Sequence, residues 1–133
     1  MRMTIASDVA RQLVELAARS DDEICGLVRG AMGHIDGLAP ATNVSSHPND
    51  SFEIDPRALF GAARARRDGV DRTIGHYHSH PEGCAEPSAR DVAGISADGE
   101  VWLIVAGGQL TAWVGRINGG ERRFDVIDLV VVP

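Results

Sequence analysis

The stretch that decides the fold runs from residue 78 to residue 91 and reads His78-Ser79-His80-Pro81-Glu82-Gly83-Cys84-Ala85-Glu86-Pro87-Ser88-Ala89-Arg90-Asp91. Residues two apart in an extended chain point to the same side, so His78 and His80 can reach one ion. Residues 73–77 lead into the pair with β-branched and aromatic side chains, and residues 81–83 break the run. We therefore predict a strand that ends at the histidine pair.

Asp91 lies eleven residues beyond His80, too far along the chain for the same strand. Ser88, which follows Pro87, is a good N-cap for a helix. Asp91 would then lie in the first turn of that helix, beside the end of the strand. Two neutral imidazoles and one carboxylate leave a tetrahedral zinc ion with an open fourth position, which is typical of catalytic zinc.

Each part of this pattern also has a plain structural interpretation. Ser88 followed three residues later by Asp91 fits a capping box, and an isolated His-x-His is usually incidental. It is the combination of the histidine pair with Pro81, Ser88 and Asp91 that favours a metal site. His76 lies on the same strand face, but its Cα would be ~13 Å from that of His80 at ~3.3 Å per residue. We therefore assign His76 to the wall of the site and not to the ligands.

In these motifs the chain resembles the JAMM metalloproteases, also called the JAB1/MPN/Mov34 family. The family's His-x-His-Pro, followed by Ser and by Asp three residues later, matches residues 78–81, Ser88 and Asp91 at the family's spacing. Residues 23–28 are close to the Glu-x-Cys-Gly-Leu of small bacterial members, and residues 51–56 are also typical of them. The resemblance covers roughly residues 4 to 115.

The resemblance implies a zinc-dependent peptidase or isopeptidase with one Zn²⁺ per chain, bound by His78, His80 and Asp91. It also implies that Glu23 takes the proton of the attacking water and passes it to the leaving amine. Without the resemblance, Glu23 would be interpreted as a solvated acid. Ser88 is implied to donate a hydrogen bond to the developing oxyanion, which requires its hydroxyl to be shared with the helix cap or to reorient.

The same resemblance implies substrates that end in the flexible Gly-Gly tail of a ubiquitin-like protein, in bacteria a sulfur carrier or its conjugate. The short segment 82–87 lacks the insertions with which larger members bind ubiquitin. The tail is expected to lie extended beside an exposed strand edge. Two alternatives stay open, a JAMM peptidase acting on cell-wall or phage-related peptides and a non-catalytic or latent MPN scaffold. The sequence also leaves open whether the chain forms a homodimer.

Composition sets limits on the remaining functions. A chain of 133 residues with 44% hydrophobic residues can bury one core and is short for two, so we predict one domain over residues 1–133. Membrane-span and signal-peptide patterns are missing from the sequence, so the expected location is cytoplasmic. The net charge of −6 argues against nucleic acid as a partner. Cys84 has no Cys-x-x-Cys around it, which counts against the zinc nucleobase deaminases.

The rest of the sequence predicts an α+β fold. A helix capped by Ser7 is expected to end near residues 19–20, and Asp55-Pro56 opens a second helix that ends near Arg67. Further strands are expected at about 24–29, 34–39, 101–106, 109–116 and 122–132, with turns at 30–33, 107–108 and 118–120. About three helices would flank a mixed, mostly antiparallel sheet in three layers, as in the cytidine-deaminase-like MPN/JAMM fold that the resemblance implies.

Overall fold

The computed structural model describes residues 1–31 and 33–133. Three helices and seven strands are present in this part of the chain. In chain order they are β1 (Arg2–Ala6), α1 (Ser7–Ala18), β2 (Cys25–Ala31), β3 (His34–Ala41), α2 (Pro56–Arg67), β4 (Thr73–Ser79), α3 (Ala89–Ala93), β5 (Val101–Ala106), β6 (Gln109–Asn118) and β7 (Glu121–Val132).

The strands form one closed sheet in the order β1-β3-β2-β4-β5-β6-β7. The pairs β1–β3, β1–β7 and β4–β5 are parallel, and the other four pairs are antiparallel. The sheet is therefore mixed and mostly antiparallel, as predicted. The predicted α+β class also fits, but the closure of the sheet into a barrel was not part of the prediction.

The closure depends on β1, a strand that the sequence did not predict. Residues 2–6 pair in parallel with residues 128–132 of β7, and Thr4 and Ile5 pair with the start of β3. Met3 and Ile5 alternate into the core, where both are buried. The strand has only five residues and runs directly into a helix. Its alternation of buried and exposed side chains is therefore too short to be distinguished from the helical pattern that follows.

Helix α1 packs against five of the strands, β1, β3, β5, β6 and β7. Its Val9, Ala10 and Leu13 join the main core with Leu103 and Val105 of β5. The prediction that Ser7 caps this helix is wrong, because Ala6 occupies the N-cap position and Ser7 is already helical. The helix also ends at Ala18, slightly before the predicted end.

The other predicted elements are present with small shifts at their ends. Asp55 caps α2 by accepting a hydrogen bond from the Arg57 N–H, and Pro56 is the first helical residue, as predicted. The turns predicted at 107–108 and 118–120 have positive φ values at their four glycines, and Asn118 is the last residue of β6. The predicted turn at 30–33 includes Met32, which lies outside the described residues.

Strand β4 lies between β2 and β5, and this position sets the location of the site. Paired residues of β4 and β5 share a face of the sheet, and the register joins His76 to Trp102 and His78 to Ile104. The histidines therefore lie on the face opposite the core that α1 covers. Within the described residues, no helix is long and apolar enough to span a membrane.

Candidate metal centre

The histidine pair lies where the sequence placed it, at the end of β4. His78 is fully buried, and the side chain of His80, one residue beyond the strand, is 12% exposed. The Nδ1 of His80 lies 2.8 Å from the carbonyl oxygen of Cys84 and donates to it, so the neutral ring carries its lone pair on Nε2 and only the protonated ring can donate from Nε2 to Asp91. The Nε2 atoms of the two histidines face each other at 3.0 Å.

Asp91 reaches both histidines from the first turn of α3. Its Oδ1 lies 3.1 Å from Nε2 of His78, and its Oδ2 lies 3.2 Å from Nε2 of His80. Ser88 and Asp91 also form the complete capping box, in which the Ser88 Oγ accepts from the Asp91 N–H and the Asp91 Oδ2 accepts from the Ser88 N–H. The plain interpretation of this motif and the metal interpretation therefore describe one arrangement, because the cap orients the carboxylate.

The three side chains fit a zinc ion. The two Nε2 atoms lie 3.0 Å apart, and the Asp91 carboxylate contacts each of them with a different oxygen, at 3.1 and 3.2 Å. In a tetrahedral site with bonds of ~2.0–2.1 Å, neighbouring ligand atoms are roughly 3.3 Å apart. Two imidazole nitrogens and a carboxylate oxygen are also donor types that zinc prefers, and a set of three leaves the fourth position open.

Glu23 lies beside this cluster, in the connection between α1 and β2. Its carboxylate and the ring nitrogens of His78 and His80 lie within 4.8 Å of one another. The residue is only 7% exposed, so the alternative of a solvated acid is wrong. Burial raises the pKa of Glu23 to about 7, partly offset by the nearby His80 and reinforced by Asp91. A carboxyl group that titrates near neutrality can both accept and return a proton.

The surroundings of the cluster shift the pKa values of its side chains in different directions. Burial lowers the pKa of His78, which favours the neutral ring that a metal ligand requires. Burial alone would raise the pKa of Asp91, but its hydrogen bonds with His78 and His80 outweigh that effect and lower it. The hydrogen bond with Asp91 is also the main cause of the raised pKa of His80. Asp91 is therefore ionised at neutral pH, as a ligand must be.

Aromatic side chains form the wall on one side of the cluster. The Phe52 ring stacks on the His78 ring with centroids 4.3 Å apart and planes 18° apart. His76 lies outside the cluster, where its Nε2 contacts Glu100 at 3.0 Å and its ring meets Trp102 edge to face. A cleft of about 410 Å³, which we call the aromatic cleft, is lined by Phe52, Leu59, His76, Glu100 and Trp102.

A second cleft, of about 490 Å³, opens on the other side of the cluster, and we call it the loop cleft. Its walls include the segment 80–84 together with Glu86. Glu23 and Ser88 line both clefts, so the cluster lies where the two meet. Cys84 is exposed here and contributes its backbone carbonyl to His80.

Several residues around the cluster were missed by the sequence analysis. Asn43 donates to the Glu23 carbonyl at 2.9 Å, and Ser79 accepts from the Ile24 N–H at 2.8 Å. Trp102 contacts His76 from the neighbouring strand. Ser79 stands inside the histidine motif and could have been considered from its position. Asn43 and Trp102 carry no local signal, because each reaches the site only through tertiary contacts.

Two histidines and an aspartate in contact with one another, beside a buried carboxyl group, are the side chains that a metal-dependent hydrolase requires, and this is the class that the fold and site define. The family follows from the sequence as a whole. The chain belongs to the prokaryotic homologs of the JAB domain (Prok-JAB), whose family model matches residues 6–118. It is thus an enzyme of the JAMM metalloprotease type, and the predicted family is confirmed.

Known relatives agree with this membership. A protein of Haloferax volcanii named desampylase is 32% identical over 124 residues, which cover 86% of this chain and 89% of the relative. A Thermus thermophilus protein named probable TtuB-protein conjugate cleaving protease is 39% identical over 59 residues, 44% of this chain and 39% of that protein. A solved structure described as a metalloprotease-like JAMM zinc site in the proteasome and signalosome has the same fold, with a TM-score of 0.57, 17% identity, and 98% and 99% of the two chains covered.

Proposed function

We propose that this enzyme is a zinc-dependent peptidase or isopeptidase that hydrolyses the bond after the C-terminal Gly-Gly tail of a ubiquitin-like protein, a bacterial sulfur carrier or its conjugate. The observation that carries the proposal is the convergence of two histidines and an aspartate within 3.2 Å beside a buried glutamate. The names of the desampylase and of the conjugate-cleaving relative support a conjugated protein as the substrate.

One zinc ion per chain would be held by His78, His80 and Asp91. Glu23 is also near both histidines, but two properties distinguish the carboxylates. Asp91 makes the shorter contacts with both rings and its pKa is lowered, whereas the pKa of Glu23 is raised to about 7. A bound zinc ion would supply Lewis acidity, polarising the scissile carbonyl group and lowering the pKa of a water molecule to about 7.

Glu23 would be the proton carrier of the reaction. In the metal-free protein burial raises its pKa to about 7. The carboxyl group would take a proton from the attacking water and deliver it to the leaving amine. The carboxyl group lies at the meeting point of the two clefts. A peptide that passes from one cleft to the other would therefore bring its scissile bond next to Glu23.

Ser88 would stabilise the oxyanion. Its Oγ accepts the N-terminal hydrogen bond of α3 from the Asp91 N–H. An oxygen that accepts this bond still has its own proton to donate. The hydroxyl can therefore serve the cap and a developing negative charge at once, without the reorientation that the sequence left as an alternative.

The proposal is tested with a ubiquitin-like sulfur carrier whose Gly-Gly tail is extended by a reporter peptide or joined to a lysine side chain. The zinc-loaded protein should release the reporter, a chelator should stop the release and added zinc should restore it. Glu23→Gln should lower kcat about 10²–10⁴-fold, the usual contribution of a positioned acid–base group. If the zinc-loaded wild type leaves the extended tail and the lysine conjugate intact, the substrate class is wrong. Binding of the carrier without cleavage would favour the scaffold alternative.

A further inference from the structure

A single segment holds Glu23 next to the histidine cluster. Residues 42–55 connect β3 to α2, and we call them the clamp segment. The two ends of the segment pair with each other, the Val44 N–H donating to Glu53 and the Asp55 N–H to Thr42. The result is a closed loop over the connection that carries Glu23.

Glu23 itself lies outside the helices and strands, so no regular ladder in the described chain fixes its position. Its backbone N–H donates to the carbonyl of Pro48 at 2.7 Å, and its carbonyl accepts from the Nδ2 of Asn43 at 2.9 Å. Both partners belong to the clamp segment. The next residue, Ile24, exchanges two hydrogen bonds with Ser79. The Glu23 backbone is therefore held from the clamp segment on one side and from the histidine motif on the other.

Asn43 uses its full hydrogen-bonding capacity in this arrangement. Its Nδ2 donates to the carbonyls of Glu23 and Ser51, and its Oδ1 accepts from the N–H groups of Ser45 and Glu53. An asparagine side chain has two N–H donors and two acceptor positions, and all four are used here. One side chain thus closes the clamp segment and joins it to Glu23.

The clamp segment also contacts the other side of the site. Phe52 stacks on the ring of His78, and the carbonyl of Asp50 accepts from the Arg90 guanidinium at 2.8 Å. Arg90 precedes Asp91 in α3. The clamp segment therefore contacts Glu23 as well as the strand that carries His78 and the helix that carries Asp91.

We propose that Asn43 is a positioning residue, which sets the distance between the Glu23 carboxylate and the reacting atoms by fixing the Glu23 backbone. The proposal rests on the role of Glu23 in the proposed function. A displacement of about 1 Å in a reacting group can lower a rate roughly 10²-fold. The loss of Asn43 should therefore reduce turnover while leaving the zinc ligands and the substrate clefts in place.

The decisive variants are Asn43→Ala and Asn43→Asp. Alanine removes all four hydrogen bonds, whereas aspartate keeps the oxygen that accepts from Ser45 and Glu53 and loses the donors to Glu23 and Ser51. With the zinc-loaded protein and the Gly-Gly-linked reporter, we expect kcat to fall roughly 10- to 100-fold. KM should stay within about twofold, and each chain should still bind one zinc ion.

Two comparisons separate this role from a general loss of structure. Ser45→Ala removes hydroxyl contacts to Ser51 and to the His47 N–H inside the same clamp segment, without touching the Glu23 backbone. It should leave kcat within about twofold of the wild type. In a Glu23→Gln background, Asn43→Ala should cause no further loss, because Asn43 acts through the Glu23 carboxylate.

A readout that does not depend on turnover completes the test. In the zinc-free protein, hydrogen exchange at the Glu23 and Ile24 amides should be faster in Asn43→Ala than in Ser45→Ala. The positioning role is overturned if these exchange rates match, if Ser45→Ala loses as much kcat as Asn43→Ala, or if the Asn43 and Glu23 effects add. A wild type that cleaves nothing would contradict the proposed function instead, and the exchange rates would then decide the role of Asn43.

Discussion

Two carboxylates approach the histidine pair, and their surroundings push their pKa values in opposite directions. Asp91 accepts from the Ser88 N–H and contacts both histidines, and its pKa is lowered. Glu23 is buried, and its pKa rises to about 7. When neighbouring acids are separated in this way, the acid with the lowered pKa suits ligation and the other suits proton transfer. This difference in pKa supports the proposed roles, in which Asp91 binds the metal ion and Glu23 transfers the proton.

Metal content should follow this division. His78→Ala, His80→Ala and Asp91→Ala should each reduce bound zinc well below one ion per chain, because a tetrahedral site loses one of three protein ligands. Glu23→Gln should keep its zinc, as should the exposed control Glu86→Gln. Elemental analysis of the purified variants measures this directly. Zinc lost from Glu23→Gln but kept in Asp91→Ala would exchange the roles of the two carboxylates.

The raised pKa of Glu23 also predicts how stability depends on pH in the zinc-free protein. The folded chain binds the Glu23 proton more tightly than the unfolded chain, whose pKa is near 4.5. Stability from this group is therefore fully present below pH 4.5 and is lost as pH rises through about 7. Glu23→Gln should be more stable than the wild type at pH 8, and the difference should vanish near pH 4. Urea unfolding at both pH values tests this, and equal stabilities at pH 8 would contradict it.

At the residue scale, the spacing of the motif predicted which side chains would meet, because His78 and His80 share a strand face and Ser88 fixes the start of α3. The clamp segment could not be predicted in the same way. Asn43 lies 20 residues from Glu23 in the chain, and its contact depends on how residues 42–55 close on themselves. Hydrogen bonds of this kind need a tertiary structure before they can be recognised.

At the element scale, the site depends on the close approach of β4 and β5. A Cβ atom added at Gly75 would overlap the backbone carbonyl of Val101, its partner in the parallel ladder. We expect Gly75→Ala to destabilise the protein by about 1–3 kcal/mol, because the two strands must separate to admit the methyl group. Thermal unfolding of the zinc-free protein measures the loss.

Gly61 provides the matched control for that substitution. It lies within α2, and a Cβ atom there would meet no described atom within 4 Å apart from its chain neighbours and the backbone of its own helix. Gly61→Ala should stabilise the protein by about 0.5–1 kcal/mol, since alanine loses less backbone entropy in a helix. If Gly75→Ala unfolds at the same temperature as Gly61→Ala or at a higher one, the close approach of β4 and β5 does not exclude a methyl group at residue 75.

The elements that sequence patterns predicted well are those with their own end signals. Asp55-Pro56 defined the start of α2, and the paired glycines defined the turns around β6. Ser7 gave a false signal, because β1 runs into α1 without a break and Ala6 takes the cap position. The closure of the sheet by β1 joins residues 2–6 to residues 128–132, a pairing that local periodicity does not encode.

At the scale of the whole molecule, charge is distributed unevenly around the two clefts. Asp50, Glu53 and Glu100 line the aromatic cleft together with Arg90, whose guanidinium lies against Asp50. Glu82 and Glu86 line the loop cleft. Clefts lined mostly by one sign of charge concentrate the electrostatic field and attract oppositely charged ligands. The chain's net charge of −6 adds to this potential.

This distribution predicts a preference among conjugates. A Gly-Gly-linked reporter flanked by arginines on its leaving side should have a several-fold lower KM than one flanked by glutamates, with kcat changed little. The difference should shrink as salt rises from about 0.02 to 0.3 M, because the Debye length falls from more than 10 Å to less than 8 Å. Steady-state kinetics on the two reporters at both salt concentrations measures this. If the leaving side occupies the loop cleft, the double variant Glu82→Gln, Glu86→Gln should show a smaller preference. A KM difference that salt leaves unchanged would assign the preference to specific contacts instead, since direct packing is not screened.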